Sequence, residues 1–95
     1  MPEMRFTIRW PDGLSESCYS PSLVIKDFFA PGQHYALDDF LARSRTALMI
    51  ASDRVKEKYG MACSRAMGQL ARIEGAGRAF ADTPDAKVFV VSFEE

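Results

Sequence analysis

An apolar stripe at helical spacing, running from Leu37 to Tyr59, is the sequence feature that most constrains the fold. Apolar and small residues recur there at about 100° per residue, so they fall on one narrow side of a single helix. Aspartates lie in its first turn, lysines lie in its last turn, and Gly60 follows as the expected stop. The sequence therefore predicts one long helix with one buried side. Its stripe consists of Leu37, Phe40, Leu41, Ser44, Leu48, Ala51, Val55 and Tyr59.

A second helix is predicted over residues 64–80, because apolar residues again recur on one face. Ala66 and Gly77 on that face are small, which allows a neighbouring backbone to approach closely. The other residues of this face are Leu70, Ile73 and Phe80.

A short helix is predicted to begin at Ser20-Pro21, where a serine cap precedes proline at the first helical position. Ala30-Pro31-Gly32 ends this segment. The β-branched pair Val24-Ile25 within it favours strands, so a strand stays open as the alternative.

The N-terminal residues have the pattern of a β-hairpin. Residues 4–10 alternate strictly between apolar and polar side chains, which indicates a half-buried strand. Pro11-Asp12-Gly13 supplies a turn, and residues 14–19 return as a second, polar strand. A polar strand is expected at an edge of the sheet, where burial is weaker.

Residues 87–93 are rich in valine and phenylalanine on both faces, which is typical of a central strand. We expect this strand, which contains Val90, to lie beside the strand that contains Phe6 and Ile8. The predicted fold class is α+β, in the order ββ(α)ααβ. Its sheet is three-stranded and mainly antiparallel with helices on one face, and residues 1–95 form one domain.

Charge and composition exclude several classes of protein. Twelve lysines and arginines balance thirteen aspartates and glutamates, so the broad positive field typical of nucleic-acid binding is missing. No apolar run reaches the length of a membrane helix, and the first residues do not resemble a signal peptide. The sequence therefore predicts a cytoplasmic protein, in which Cys18 and Cys63 do not form a disulfide.

Several short motifs, spread over nearly the whole chain, resemble a small bacterial family of nitrogen starvation response proteins. The resemblance implies genes for a nitrilase, a radical-SAM protein, an acetyltransferase and a flavin-dependent oxidoreductase nearby, and hence a role in acquiring nitrogen from nitriles or cyanide. It implies no activity and no site residues for this chain. The motifs are Met1-Pro2-Glu3-Met4-Arg5-Phe6, Arg9-Trp10-Pro11-Asp12-Gly13, Cys18-Tyr19-Ser20-Pro21-Ser22, Asp39-Phe40-Leu41-Ala42-Arg43-Ser44-Arg45, Ala51-Ser52-Asp53-Arg54-Val55 and Lys58-Tyr59-Gly60.

Three residues are candidates for catalysis, and each has a simpler interpretation. Cys63 lies at the start of a predicted helix, where the dipole favours a thiolate, but it also lies beside an apolar stripe, which favours packing. His34, the single histidine, is expected in a solvated loop. The amine of Pro2 would be exposed if Met1 is removed, but a hairpin does not follow the N-terminal proline in the tautomerases that use such an amine. Cys18, in a strand, is expected to pack in the core.

Charged residues on the helices suggest two further possibilities. Six arginines could hold an anion, although the aspartates and glutamates among them favour a solvated surface of mixed charge. Two cysteines and one histidine without ligand spacing make a metal site improbable, and no cofactor is predicted. The arginines are Arg43, Arg45, Arg54, Arg65, Arg72 and Arg78.

Met49 and Ile50 point away from the main stripe of the long helix, among Arg45, Asp53 and Arg54. Exposed apolar residues surrounded by charge can mark a partner surface. This surface and the absence of catalytic motifs predict a non-catalytic accessory protein that forms a homodimer, and the family resemblance implies that its partner is a nitrogen-assimilation enzyme. The alternatives are a small enzyme and a regulatory module that binds a small nitrogen metabolite.

Overall fold

In a computed structural model that describes residues 3–95, four antiparallel strands form one sheet in the order β2-β1-β4-β3, and helices cover one of its faces. The α+β class is therefore confirmed. The elements are β1 (Met4–Arg9), β2 (Ser15–Ser20), α1 (Ile25–Phe28), β3 (His34–Ala36), α2 (Leu37–Tyr59), α3 (Ser64–Arg78) and β4 (Lys87–Glu94).

The prediction of three strands was wrong by one, because β3 was expected to be a loop. This strand has three residues, which is too short to show an alternating pattern, and it exists because β4 pairs with it. Backbone bonds from Gly32 N to Val90 O (2.7 Å) and from Val90 N to Gln33 O (3.0 Å) extend the pairing. As predicted, β4 is central, β1 lies beside it, and β2 is an edge strand.

A bulge in β4 explains why Phe93 faces the core although simple alternation from Val90 would place it on the outer face. Thr7 pairs with Ser92 but Ile8 pairs with Val90, so Val91 is the extra residue. Because of the bulge, Phe93 pairs with Phe6 on the core side of the sheet, where it packs against the buried residues.

The short helix does not begin at Ser20-Pro21. Ser20 is the last residue of β2, and its buried hydroxyl donates to Ser22 O (2.7 Å) and accepts from Ser22 N (3.3 Å). These bonds form a turn, because serine hydroxyls readily satisfy nearby backbone groups outside helices. Helix α1 starts only at Ile25, so the strand alternative for Val24-Ile25 is also wrong.

The long helix α2 has the predicted bounds. It ends at Gly60, whose φ of 81° is left-handed and whose N–H donates to Lys56 O at 2.7 Å. Helix α3 ends at Arg78, two residues earlier than predicted. The N–H groups of Ala79 and Phe80 donate to carbonyl groups three residues back, as in a 3₁₀ turn.

Helices α2 and α3 pack closely at Gly77. A Cβ atom at this position would lie 2.9 Å from Leu41 Cδ2, whereas a Cβ at Gly75, on the exposed side of α3, would meet nothing within 4 Å. This supports the expectation that a small residue lets the neighbouring helix approach.

Two glycine substitutions in α3 should therefore change stability in opposite directions. Gly77→Leu is expected to lower the free energy of unfolding by about 1–3 kcal/mol, because it overpacks the contact with Leu41. Gly75→Ala is expected to raise it by about 0.5–1 kcal/mol, because alanine restricts the unfolded chain and favours the helix. Urea unfolding of both variants measures the difference. A stable Gly77→Leu variant would contradict close packing here.

Candidate functional site

The face of the sheet opposite the helices carries a row of side chains across three strands. Phe89 of β4 lies directly opposite Arg9 of β1 on one side and His34 of β3 on the other. The Arg9 guanidinium carbon lies 5.8 Å from the centre of the Phe89 ring, and the His34 ring centre lies 4.6 Å from it. An aromatic ring between two nitrogen-bearing groups is thus presented on an uncovered surface.

These residues border a shallow depression of about 340 Å³, called the basic depression below. Its lining includes Arg9, Lys87 and His34 but no carboxylate. Within residues 3–95, neither Arg9 nor Lys87 forms an ion pair. The depression therefore concentrates positive charge that the protein itself does not neutralise. Its remaining lining residues are Trp10, Pro11, Gly13 and Phe89.

A second depression, of about 220 Å³, lies along the same strands and has mixed charge. Glu3, Glu94 and Glu95 line it together with Arg5 and Arg65. The three carboxylates here outnumber the two arginines, in contrast to the basic depression.

Tyr19 also lines this mixed-charge depression. Its hydroxyl donates to Glu3 Oε2 at 2.9 Å, and the Arg65 guanidinium carbon lies 3.8 Å from its ring centre. Partial burial raises the pKa of Tyr19, and the hydrogen bond to Glu3 raises it further because it favours the neutral phenol.

Three of the six arginines on the helices pair with carboxylates, and the six do not collect around one anion site. Arg43 binds Asp39, Arg45 binds Glu74 and Arg72 binds Glu16, with nitrogen–oxygen distances of 2.9, 2.9 and 2.7 Å. The expected surface of mixed charge agrees with this arrangement.

The predicted interaction residues on α2 are only partly available. Met49 is 41% exposed, and Asp53, Arg45 and Arg54 are exposed too, although Arg45 is paired with Glu74 and Arg54 donates to Ser22 Oγ at 2.9 Å. The expectation that Ile50 lies off the core was wrong.

Ile50 is half-buried and packs against the core because α2 has a second covered side. Arg43 donates to Phe28 O at 2.8 Å and Arg54 donates to Ser22, which places the segment around α1 along this side of α2. Ala47 and Ile50 lie on the same side between these two arginines.

Two more exposed apolar side chains lie where α2 meets α3. Tyr59 is 61% exposed and Met61 is 75% exposed, and all residues from 56 to 62 are exposed. The last turn of α2 therefore projects beyond the core, so Tyr59 does not continue the buried stripe as predicted. We call Val55, Tyr59 and Met61 the apolar tip.

Cys63 and His34 are not brought together. Cys63 is half-buried at the N-cap of α3, where its N–H donates to Ser52 Oγ at 3.3 Å. It lines a depression beside the apolar tip that shares no residue with the basic depression around His34. Cys18 is fully buried, as expected, and both thiols are free. Pro2 lies outside the described residues.

The sequence did not indicate Lys87 and Phe89 as candidate site residues, and it predicted that His34 lies in a loop. The alternation of residues 4–10 places Arg9 on the polar face of its strand, and this was the one sequence signal for a residue of the basic depression. The basic depression depends on the pairing of β3 with β4, and three residues give no periodicity from which to predict that pairing.

The described residues give no indication of a metal centre or a membrane segment. Over residues 3–95, no three histidine, cysteine, aspartate or glutamate side chains are grouped so that they could hold an ion. No helix in the same part of the chain is long and apolar enough to cross a membrane.

Comparison with known proteins identifies the family. A comparison with curated proteins found no significant match, and neither did a comparison with solved structures. The family model described as nitrogen starvation-induced protein NitG matches residues 5–93, which is nearly the whole chain and includes every strand and helix except the ends of β1 and β4. The chain therefore belongs to the NitG family of nitrogen starvation-induced proteins.

Proposed function

We propose that this protein serves the nitrogen starvation response by binding a protein partner and not by catalysis. A nucleophile needs a base within hydrogen-bond reach, about 2.6–3.2 Å. Cys63 and His34, the candidates for these two roles, line separate depressions. The other cysteine, Cys18, is inaccessible to a substrate because it is fully buried.

The apolar tip is the observation that carries this proposal. Tyr59 and Met61 are among the most exposed large apolar side chains of the described residues, and they are two positions apart. Side chains of this kind are enriched at the centres of protein interfaces. Charged Lys56, Glu57 and Lys58 precede them and provide a polar rim.

The partner we propose is an enzyme of nitrogen assimilation. The family is induced by nitrogen starvation, and the sequence resemblance implies neighbouring genes for enzymes such as a nitrilase, which supports a place in nitrile or cyanide utilisation. A second copy of the chain can use the same surface, because a two-fold axis would pair the tip with itself. We therefore include a homodimer in the proposal.

A double substitution at the tip tests the proposal. Tyr59→Ser combined with Met61→Ser should reduce recovery of the partner with tagged protein from nitrogen-starved cells by about tenfold, the loss of roughly 1.4 kcal/mol of binding energy. Quantitative mass spectrometry of the captured proteins measures the change, and sedimentation of the purified protein measures self-association. The fold should be unaffected, because both side chains are exposed.

Met49→Ser is the matched control, because Met49 is also exposed but lies in the middle of α2. It should leave both binding and growth under nitrogen starvation unchanged. Cys63→Ala tests the catalytic alternative. If Cys63→Ala abolished growth in a folded protein while the tip variant grew normally, the protein would be an enzyme and the proposal would be wrong.

A further inference from the structure

We propose that the basic depression is a binding site for a small organic anion with a carboxylate or phosphate group. This site is separate from the apolar tip, and the inference does not depend on the proposed partner. Arg9 and Lys87 are two cations on neighbouring strands that line one concave surface, and neither is neutralised by a carboxylate of residues 3–95.

The arrangement of the cations suits an oxyanion. The planar guanidinium of Arg9 can donate two parallel hydrogen bonds to a carboxylate or phosphate, and the ammonium of Lys87 adds a point charge. Nearby carboxylates point elsewhere. Asp12 accepts the N–H of Leu14 at 3.0 Å and lines a different groove, while Asp85 lines another depression beside α2.

Phe89 gives the depression an apolar floor. Its ring is half-buried between Arg9 and His34, and a flat or apolar part of a ligand can lie against it while the oxyanion contacts Arg9. The volume of about 340 Å³ lies within the range that holds small molecules. The ligand class is therefore a small anion with an apolar or planar part.

The hydrogen-bonded turn between β1 and β2 forms a wall of the depression. Gly13 N donates to Trp10 O and Trp10 N donates to Leu14 O, both at 2.9 Å, and Gly13 has a left-handed φ of 89°. His34 is fixed by the pairing of β3 with β4. The site is thus built on sheet and turn positions, which hold side chains more precisely than long loops.

A nucleic acid is a less suitable ligand than a small anion. A single strand would continue along the sheet to the mixed-charge depression, where Glu3, Glu94 and Glu95 would repel its phosphates. The chain also has a net charge of −1, whereas proteins that bind nucleic acids typically carry an excess of positive charge.

Nuclear magnetic resonance titration of the ¹⁵N-labelled protein tests the site. Benzoate, inorganic phosphate and a short oligouridylate would each be added at low ionic strength. We expect saturable shifts of the Arg9, His34 and Phe89 amides with benzoate, whose ring can lie against Phe89, and weaker binding of inorganic phosphate, which has no apolar part. Arg9→Gln and Lys87→Gln should each weaken this binding by about tenfold or more, as expected for a lost charge-assisted hydrogen bond.

Arg5→Gln is the matched control, because Arg5 lies on the same strand and face, with its guanidinium carbon 5.9 Å from the centre of the Tyr19 ring. It should leave the affinity unchanged. The proposal would be overturned by the absence of saturable shifts with benzoate and phosphate, or by equal losses in Arg5→Gln and Arg9→Gln. Tighter binding of oligouridylate, with shifts that extend to Arg5 and Tyr19, would also overturn it.

Discussion

Replacing Phe40 with alanine is expected to lower the free energy of unfolding by about 3–5 kcal/mol, the usual cost of removing a fully buried aromatic ring. Phe40 is fully buried and lies in the first turn of α2. Its ring centre is 5.8 Å from that of Trp10 in edge-to-face geometry and 5.3 Å from that of Phe29. This one side chain therefore joins the long helix to the end of β1 and to the segment after α1.

Thermal and urea unfolding measure this loss. For a domain of this size, each kcal/mol lowers the melting temperature by roughly 4–8 °C, so Phe40→Ala should melt more than 10 °C below the original protein. Phe80→Ala is the control, because Phe80 also stacks on Trp10, at 6.0 Å, but is only half-buried. It should cost less, since its cavity opens to solvent. An equal or larger loss for Phe80→Ala would show that Phe40 is not the central contact.

The long helix was predictable because its signals are local. The apolar stripe, the charges of the first and last turns and Gly60 all lie within or next to the helix, and the structure has the predicted bounds. The hairpin and the central position of β4 were predictable for a similar reason. Strict alternation in β1 and the apolar composition of β4 reflect how these strands are buried.

The errors occurred where distant segments decide the structure. Ile50 was predicted to lie on a solvated side of α2, but the segment around α1 covers that side. Tyr59 was predicted to be buried because it continues the apolar stripe, but the helix extends past the core there and the side chain is exposed. Neither burial could be predicted from periodicity, which describes one helix and not what packs against it.

The basic depression was unpredictable for the same reason. Arg9, His34 and Lys87 are far apart in sequence, and they are brought onto one surface only by the sheet order β2-β1-β4-β3. Without β3, His34 was expected in a loop, and no pattern connected it to Phe89. The six arginines of the helices suggested an anion site because they are numerous, but carboxylate partners neutralise three of them.

Raising the pH should destabilise the protein through Cys18. The pKa of this thiol is raised from 9.0 to about 12, chiefly by burial and also by the nearby carboxylate of Glu16, while Arg72 and Arg5 oppose the shift. The folded state thus holds the thiol proton more tightly than the unfolded chain does. The resulting stabilisation is fully present below pH 9 and is lost as the pH rises from 9 towards 12, at up to about 1.4 kcal/mol per pH unit.

Urea unfolding at several values of pH between 8 and 11 measures this loss, which should grow steadily as the pH rises through that range. Cys18→Ala should flatten the dependence of stability on pH, although the cavity it leaves lowers the stability at every pH. The raised pKa of Tyr19 acts in the same direction, so a smaller slope should remain. Cys63→Ala is the matched control and should keep the full slope, because its half-buried thiol is outside the core. Equal slopes in the original protein and in Cys18→Ala would show that the buried thiol does not govern alkaline unfolding.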